Sequence, residues 1–482
     1  MTIPHHFPLA AKLPVYCLDW LAEDVLVFAG GGGKGRTGVG NFIRAIHVPS
    51  SAKSAEDVAV AAEIKLSSDE DAPMAMAVDT SSDTLVLGVN EADEKKKEGN
   101  EHLRIFRFER SESAAGDKKG TVSVTLNSSS NSPSLPLKDP AEGYVRRLLF
   151  SSDAQHLLTA STEGSYAVQS YPSLSPAFDA TTDFEGEEIV DGDFSPDGTQ
   201  VVVCTGRKLK VLGTYPNPAK AGSDDSEGEE KTNGEQAVNG ASSSRLGHPP
   251  IWQTIQNPAL GGEGGCEFRA VRFGKARRRP DRLAAAAAGG DKEGDDKISE
   301  KKSDAVASSS APTPSSGSEG KLFTVVNAKR SSGGKSKKRK SFLSAWSLST
   351  WDLLETRQLS EKPATVFAIS PCGRYLAYGS SDLSVGVINA RTLRPVMRIL
   401  DAHSFPPTAL AFSPDGGWLV SGSADNTLRV VRMPLTADEE GEMGGTTESL
   451  LERPWLLTAM LTLFILVLAA YIQRTIMSAS SS

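Results

Sequence analysis

The chain has 482 residues, 39% of them apolar, with a mean hydropathy of −0.27 and a formal net charge of −8. That is enough for one large β domain or two or three smaller ones, and the acidic balance excludes bulk nucleic-acid affinity. Cys17, Cys204, Cys266 and Cys372 are far apart in the chain, without metal or redox spacing, which fits buried thiols in a reducing compartment.

Met1 to Lys12 shows no basic region followed by an apolar core, so no signal peptide is expected. The next segment is the most unusual. A strand-like run, Asp24 to Ala29, opens into Gly30-Gly31-Gly32-Gly33-Lys34-Gly35-Arg36-Thr37-Gly38-Val39-Gly40-Asn41, and a second strand-like run follows from Phe42 to Val48. Seven of the eleven positions from 30 to 40 are Gly, whereas a plain hairpin needs one or two.

Beyond this loop one pattern repeats: an apolar run, a turn such as Ser-Pro-Asp-Gly, a second run of small and branched residues, a short polar turn, and a third run. The clearest copies span Thr408–Val431, Val366–Ile388 and Gly192–Gly206, with weaker ones starting near Val145, Met74, Val15 and Phe268. These seven copies resemble WD repeats, with a period of about 40 where no insertion intervenes. The resemblance covers roughly 10 to 434, although the last copy carries Val431-Arg432 where the Trp-Asp pair belongs. The expected fold is all-β, a seven-bladed β-propeller over 1–434 with two disordered insertions, 215–249 and 275–320. Both are low in complexity and too poor in apolar residues to order themselves.

Each blade is a four-stranded meander, A to D. The A–B and C–D loops lie on one face, and the B–C loops and D–A crossings on the other. The glycine loop is the B–C loop of blade 1. It then shares a face with the crossing into blade 2 (Ser68 to Pro73) and the crossing into blade 7 (Asp401-Ala402-His403). The insertions, counted as C–D and A–B, fall on the opposite face. The basic run Lys329 to Lys340 is a B–C loop. It reads as a solvated loop or a contact for anionic lipid, and as a nuclear import signal it supports a third, nuclear reading of the chain.

Residues 435–454 form a linker, and Trp455 to Ile472 contains no charge. At 1.5 Å per residue a helix there is about 27 Å long, enough for a thin bilayer such as the endoplasmic reticulum. A single transmembrane helix is expected at 455–472, with a short lumenal tail at 473–482 and the propeller in the cytosol.

Gly33-Lys34-Gly35-Arg36-Thr37-Gly38 matches a dinucleotide fingerprint, but a strand-like run follows it where that fingerprint needs a helix. A P-loop fails too, because Gly35 follows Lys34 and Phe28 stands where the first Gly belongs. Two readings remain: a mobile hairpin, or a rigid loop that acts on a partner. Backbone carbonyls of such a loop can wrap a hard cation, and Asn41 closes it with an amide that donates and accepts. No constellation for nucleophilic catalysis or small-molecule turnover is visible.

A Gly-rich loop ending in Asn within the first blade, a degenerate propeller and a C-terminal span together resemble the Sec-twelve family. Its members are exchange factors of the endoplasmic-reticulum membrane for the Sar small GTPase, which starts COPII vesicle assembly. The resemblance implies that Gly30, Gly31, Gly32, Gly33, Lys34, Gly35, Gly38 and Asn41 form the exchange loop. It also implies a potassium ion held by the carbonyls of Gly31, Gly32 and Gly33, and a mechanism of displacement rather than bond making. Pro73 and His403 are candidate partner contacts. For His403 the bland reading is blade packing, and for Pro73 a rigid start to strand A of blade 2. The alternative function is a membrane-bound WD-repeat adaptor without exchange activity.

Overall fold

The computed structural model describes residues 5–35, 38–95, 100–112, 122–132, 135, 143–178, 184, 186–214, 250–256, 265–275, 318, 320–329 and 339–434. They form seven four-stranded antiparallel sheets within the compact unit Met1–Met433. Six sheets are sequential meanders, with A strands Val15–Ala22, Ala75–Asp79, Val145–Phe150, Ile189–Phe194, Cys266–Phe273 and Ala364–Ile369. Blade 7 takes strands A to C from Pro407–Phe412, Trp418–Ser423 and Thr427–Arg432. Its strand D comes from the start of the chain: His6–Ala10 pairs antiparallel with Thr427–Val431.

Why these segments form strands buried on both sides is visible in their alternation. Side chains on a strand point alternately to its two faces. In strand B of blade 1 (Val25–Gly30), Val25, Val27 and Ala29 join the apolar cluster shared with blade 2. Leu26 and Phe28 join the cluster shared with blade 7. In strand B of blade 4, Val201 and Val203 face blade 3, while Val202 and Cys204 face blade 5. The seven apolar clusters correspond to the seven interblade contacts, so the core is a ring of interfaces.

The Ser-Pro-Asp-Gly turns close A–B hairpins. The Ser413 hydroxyl donates to Asp415 at 2.5 Å and accepts from the Trp418 amide at 2.9 Å. Gly416 occupies φ +75°, a left-handed conformation that glycine adopts without cost. Ser195, Asp197 and Gly198 repeat the arrangement in blade 4.

The observed strands attach each long segment as the repeat count expects. Segment 215–249 lies between strands C and D of blade 4, 276–317 between A and B of blade 5, and 330–338 between B and C of blade 5. The segments themselves lie outside the described residues, as do the linker, the expected span 455–472 and the tail. Among the described residues no helix is long and apolar enough to cross a membrane.

Candidate functional site

The glycine loop joins strand B of blade 1 to strand C (Phe42–His47). At its base it touches the neighbouring backbone. Gly31 donates to the Pro14 carbonyl at 3.1 Å. A side-chain carbon on Gly30 would fall 1.9 Å from that same oxygen, so only glycine fits. Gly31 takes φ +142°, and a side-chain carbon there would meet Asn41 Oδ1 and the Gly40 carbonyl at 2.5 Å each. These two glycines answer a close approach, whereas Gly33 and Gly38 answer positive φ, at +65° and +76°.

Asn41 is the organiser. It is buried, and its Oδ1 accepts from the Gly33 amide at 2.9 Å. Its Nδ2 donates to the Glu70 carbonyl at 2.9 Å and lies 3.4 Å from the carbonyls of Ser67 and Asp71. Its own carbonyl accepts from the Leu66 amide at 2.9 Å. One side chain thus ties the glycine loop to the crossing between blades 1 and 2.

That crossing is itself anchored. Arg104, on strand C of blade 2, pairs with Glu70 at 2.8 Å and lies 3.6 Å from Glu91. Asn90 donates to Asp71 at 3.1 Å and to the Gly143 carbonyl at 2.9 Å, and Asn100 donates to Asn90 at 3.0 Å. Asn41, Asn90, Glu91 and Arg104 are all buried. Buried polar groups are costly unless bonded, so a satisfied network of this kind fixes one arrangement. Lys34, nearer the loop tip, pairs with Asp93 of blade 2 at 2.6 Å, both side chains being exposed. Gly35, Gly38 and Val39 are exposed beyond it, and Arg36 and Thr37 lie outside the described residues.

The loop, the crossing 66–73 and the crossing into blade 7 lie on one face, as the topology expects. Pro73 and His403 are both buried. The Pro73 carbonyl faces the Cys17 thiol at 3.8 Å. His403 bonds Thr427 through Nδ1 at 2.9 Å and Ser421 through Nε2 at 2.8 Å, while Asp425 accepts from the Ser404 amide at 2.5 Å. Burial lowers the His403 pKa to about 4, so the ring is neutral and braces blade 7. The surface near His403 is made by its neighbours Leu400 and Phe405, which are 68% and 57% exposed.

Two aspects were not visible in the residue pattern. The carbonyls that receive Asn41 have no side-chain signature. The network of Asn90, Glu91, Asn100 and Arg104 gave only a weak signal, an arginine flanked by the core residues Leu103 and Ile105.

Among the described residues no group of three His, Cys, Asp or Glu side chains could hold a metal. A carbonyl site is a different matter. Three backbone oxygens, of Ser67, Glu70 and Asp71, converge on the Asn41 amide, and two of them lie at 3.4 Å, beyond a good hydrogen bond. Those three oxygens already face the Asn41 N–H donors, so a cation would look instead to the carbonyls of Gly31, Gly32 and Gly33.

Comparison with known proteins agrees with this architecture. The model of the family "WD domain, G-beta repeat" matches residues 394–431, which run from strand D of blade 6 through strand C of blade 7. The chain is 29% identical over 209 residues to "Guanine nucleotide-exchange factor SEC12" of Candida glabrata. The aligned stretch covers 42% of this chain and 40% of that relative, so it spans well under half the length of the protein it matches.

Proposed function

From a SEC12-like WD-repeat propeller, we propose a guanine-nucleotide exchange factor for a small GTPase of the Sar type, acting at the endoplasmic-reticulum membrane to start COPII budding. The observation that carries the proposal is the glycine loop of blade 1. It is held stiff by Asn41 on a buried polar pedestal and leaves its tip exposed. The partial match to a named exchange factor supports the same reading.

The mechanism is displacement. A loop already ordered loses little conformational entropy on contact, so its binding energy can favour the nucleotide-free form of the partner. By linkage, a surface that binds the nucleotide-free GTPase more tightly lowers nucleotide affinity by the same factor. Among the described residues, Lys34 and Val39 are the exposed side chains nearest the tip. Leu400 and Phe405, on the same face, extend the contact. Anchoring by 455–472 would hold both proteins on one membrane and raise their effective concentration.

The proposal includes a potassium ion in the glycine loop. The carbonyls of Gly31, Gly32 and Gly33 would hold it, and it would further stiffen the loop. Asn41 holds the base of the loop through the Gly33 amide.

The test is nucleotide release from a Sar-type GTPase, with the full chain in detergent micelles or vesicles. Acceleration is expected, with slower release when sodium replaces potassium. Unchanged release at micromolar protein would end the proposal.

A further inference from the structure

The centre of the propeller is a cavity of about 360 Å³ lined by the A strands. Arg146, Arg147, Arg269 and Arg272 line it, together with a single carboxylate, Asp191. That carboxylate is shared, with Oδ1 3.2 Å from Arg147 and Oδ2 2.5 Å from Arg272. Glu188 lies 3.7 Å from Arg146 but is half-exposed. Arg269 has no carboxylate within ion-pair distance among the described residues. Two further aspartates add negative charge beside Arg147: Asp193, which also accepts from the Phe273 amide, and Asp19, which accepts from the Trp20 amide.

How the arginines reach the cavity follows from register. Six of the seven A strands carry an irregularity at the end where the crossing enters, and blade 2 does not. The extra residue is Arg146 in blade 3 and Arg269 in blade 5. A bulge re-aims its side chain, and repeated around the ring it sets these residues at one mouth. That mouth opens on the face that carries the glycine loop.

The arginines also act as struts. Arg147 donates from Nε to the Gly192 carbonyl at 3.2 Å, Arg269 from Nε to Thr365 at 2.9 Å, and Arg272 from a terminal nitrogen to Phe367 at 2.9 Å. A strut needs one or two N–H groups, and a guanidinium has five. Arg147 and Arg269 each spend only Nε on a carbonyl. Asp191 and Asp193 offset Arg147 and Arg272, whereas at the mouth Arg146 has only the half-exposed Glu188 and Arg269 has no ion pair of its own among the described residues, so an anion entering there meets under-compensated cations. Burial and mutual repulsion both lower the Arg147 and Arg269 pKa values.

We propose that this cavity is an anion site for a phosphate group, borne by a small polyphosphate or a phosphorylated side chain, bound between Arg146 and Arg269 at the mouth and Arg147 further in. Guanidiniums pair with phosphate oxygens through two parallel N–H bonds, and the cavity has room for several phosphates. The site is separate from the exchange loop and does not depend on the exchange reading.

The test is calorimetric titration of the full chain in non-ionic detergent, in phosphate-free buffer, with pyrophosphate, inositol hexakisphosphate and a phosphoserine peptide as probes. Two variants address the site. Arg146→Ser with Arg269→Ser removes both mouth cations. Arg269→Gln alone removes the charge while its amide can still reach the Thr365 carbonyl. Affinity should fall by roughly tenfold or more in the double variant and by a smaller factor in Arg269→Gln, with the fold kept in the latter. Lys337→Ser with Lys338→Ser, in the basic loop, should bind as the unaltered chain does. Binding of pyrophosphate or inositol hexakisphosphate assigns a free ligand, and binding of the peptide alone assigns a protein-borne phosphate. No binding of any probe at about 1 mM, or binding that Arg269→Gln leaves unchanged, overturns the proposal.

Discussion

Replacing Asn41 by Ala isolates what the side chain does for the loop. Two well-formed hydrogen bonds are lost, from Gly33 and to Glu70, both at 2.9 Å. At about 1 kcal/mol net for each, the closed loop loses about 2 kcal/mol relative to its open form, roughly a 30-fold rise in opening. The loss is local, because no residue of an interblade cluster is touched. Hydrogen exchange read by mass spectrometry should therefore show protection falling by about that factor in peptides covering 31–41 and 66–72. Peptides from blades 3 to 6 should be unchanged, and nucleotide release from the GTPase should slow in parallel. Unaltered protection at 66–72 would refute the pedestal argument, because Asn41 would then not be what joins the two segments. Asn41→Asp keeps the acceptor for Gly33 but turns a carboxylate toward three carbonyls, so it should open the crossing at least as much.

Three further outcomes follow from the geometry. Gly31→Ala should destabilise the loop by about 2–4 kcal/mol through strain and collision with Asn41, whereas Gly38→Ala, in open space at φ +76°, should cost about 1 kcal/mol. Equal exchange protection in the two variants would contradict this. Lys34→Ala should change thermal stability by under about 1 kcal/mol, because its pair with Asp93 is exposed. If nucleotide release falls while melting does not, Lys34 touches the partner, and unchanged release removes it from the mechanism. Acid should weaken the propeller: burial holds His102 and His403 near pKa 4, below the usual 6.5, so their contribution is whole above pH 6.5 and lost as pH falls toward 4. At pH 5 each loses about 2 kcal/mol, partly offset by about 1.4 kcal/mol from Asp19, which burial raises to about 6 and which gains from protonation. A melting temperature at pH 5 equal to or above that at pH 7 would refute this balance.

Much of the fold is legible because it repeats. Ser413, Asp415 and Gly416 form a turn whose bonds are all local, so the residues that build it also announce it. The alternation of Val201 to Cys204 likewise records which blade each residue faces. The strand His6–Ala10 is not legible in this way. It is five residues long, contains Pro8 and pairs with residues more than 400 positions away, so nothing beside it in the chain marks it. A proline is tolerated there because the strand is an outer edge. At the site, Asn41 stands out as the end of a glycine run, but the carbonyls it binds are backbone and common to every residue. The buried pair of Glu91 and Arg104 is hidden for another reason: charge in a strand usually marks a solvated face, and only the neighbouring crossing makes burial tolerable here.

The borrowed fourth strand of blade 7 also imposes an order on synthesis. Phe7 packs in the same cluster as Trp418 and Leu428, and the Ala11 amide bonds the Asn426 carbonyl. His6–Ala10, made before any of the other blades, therefore waits for almost the last part of the propeller. Until then blade 1 has an uncovered flank, with Leu26 and Phe28 turned toward a neighbour not yet made. At about 5–20 residues per second, the stretch between Ala10 and Thr427 takes roughly 20–80 seconds to translate. Over that interval six blades can stack in sequence while the ring stays open. The propeller is thus a spring washer that snaps shut late, and His6–Ala10 is the catch.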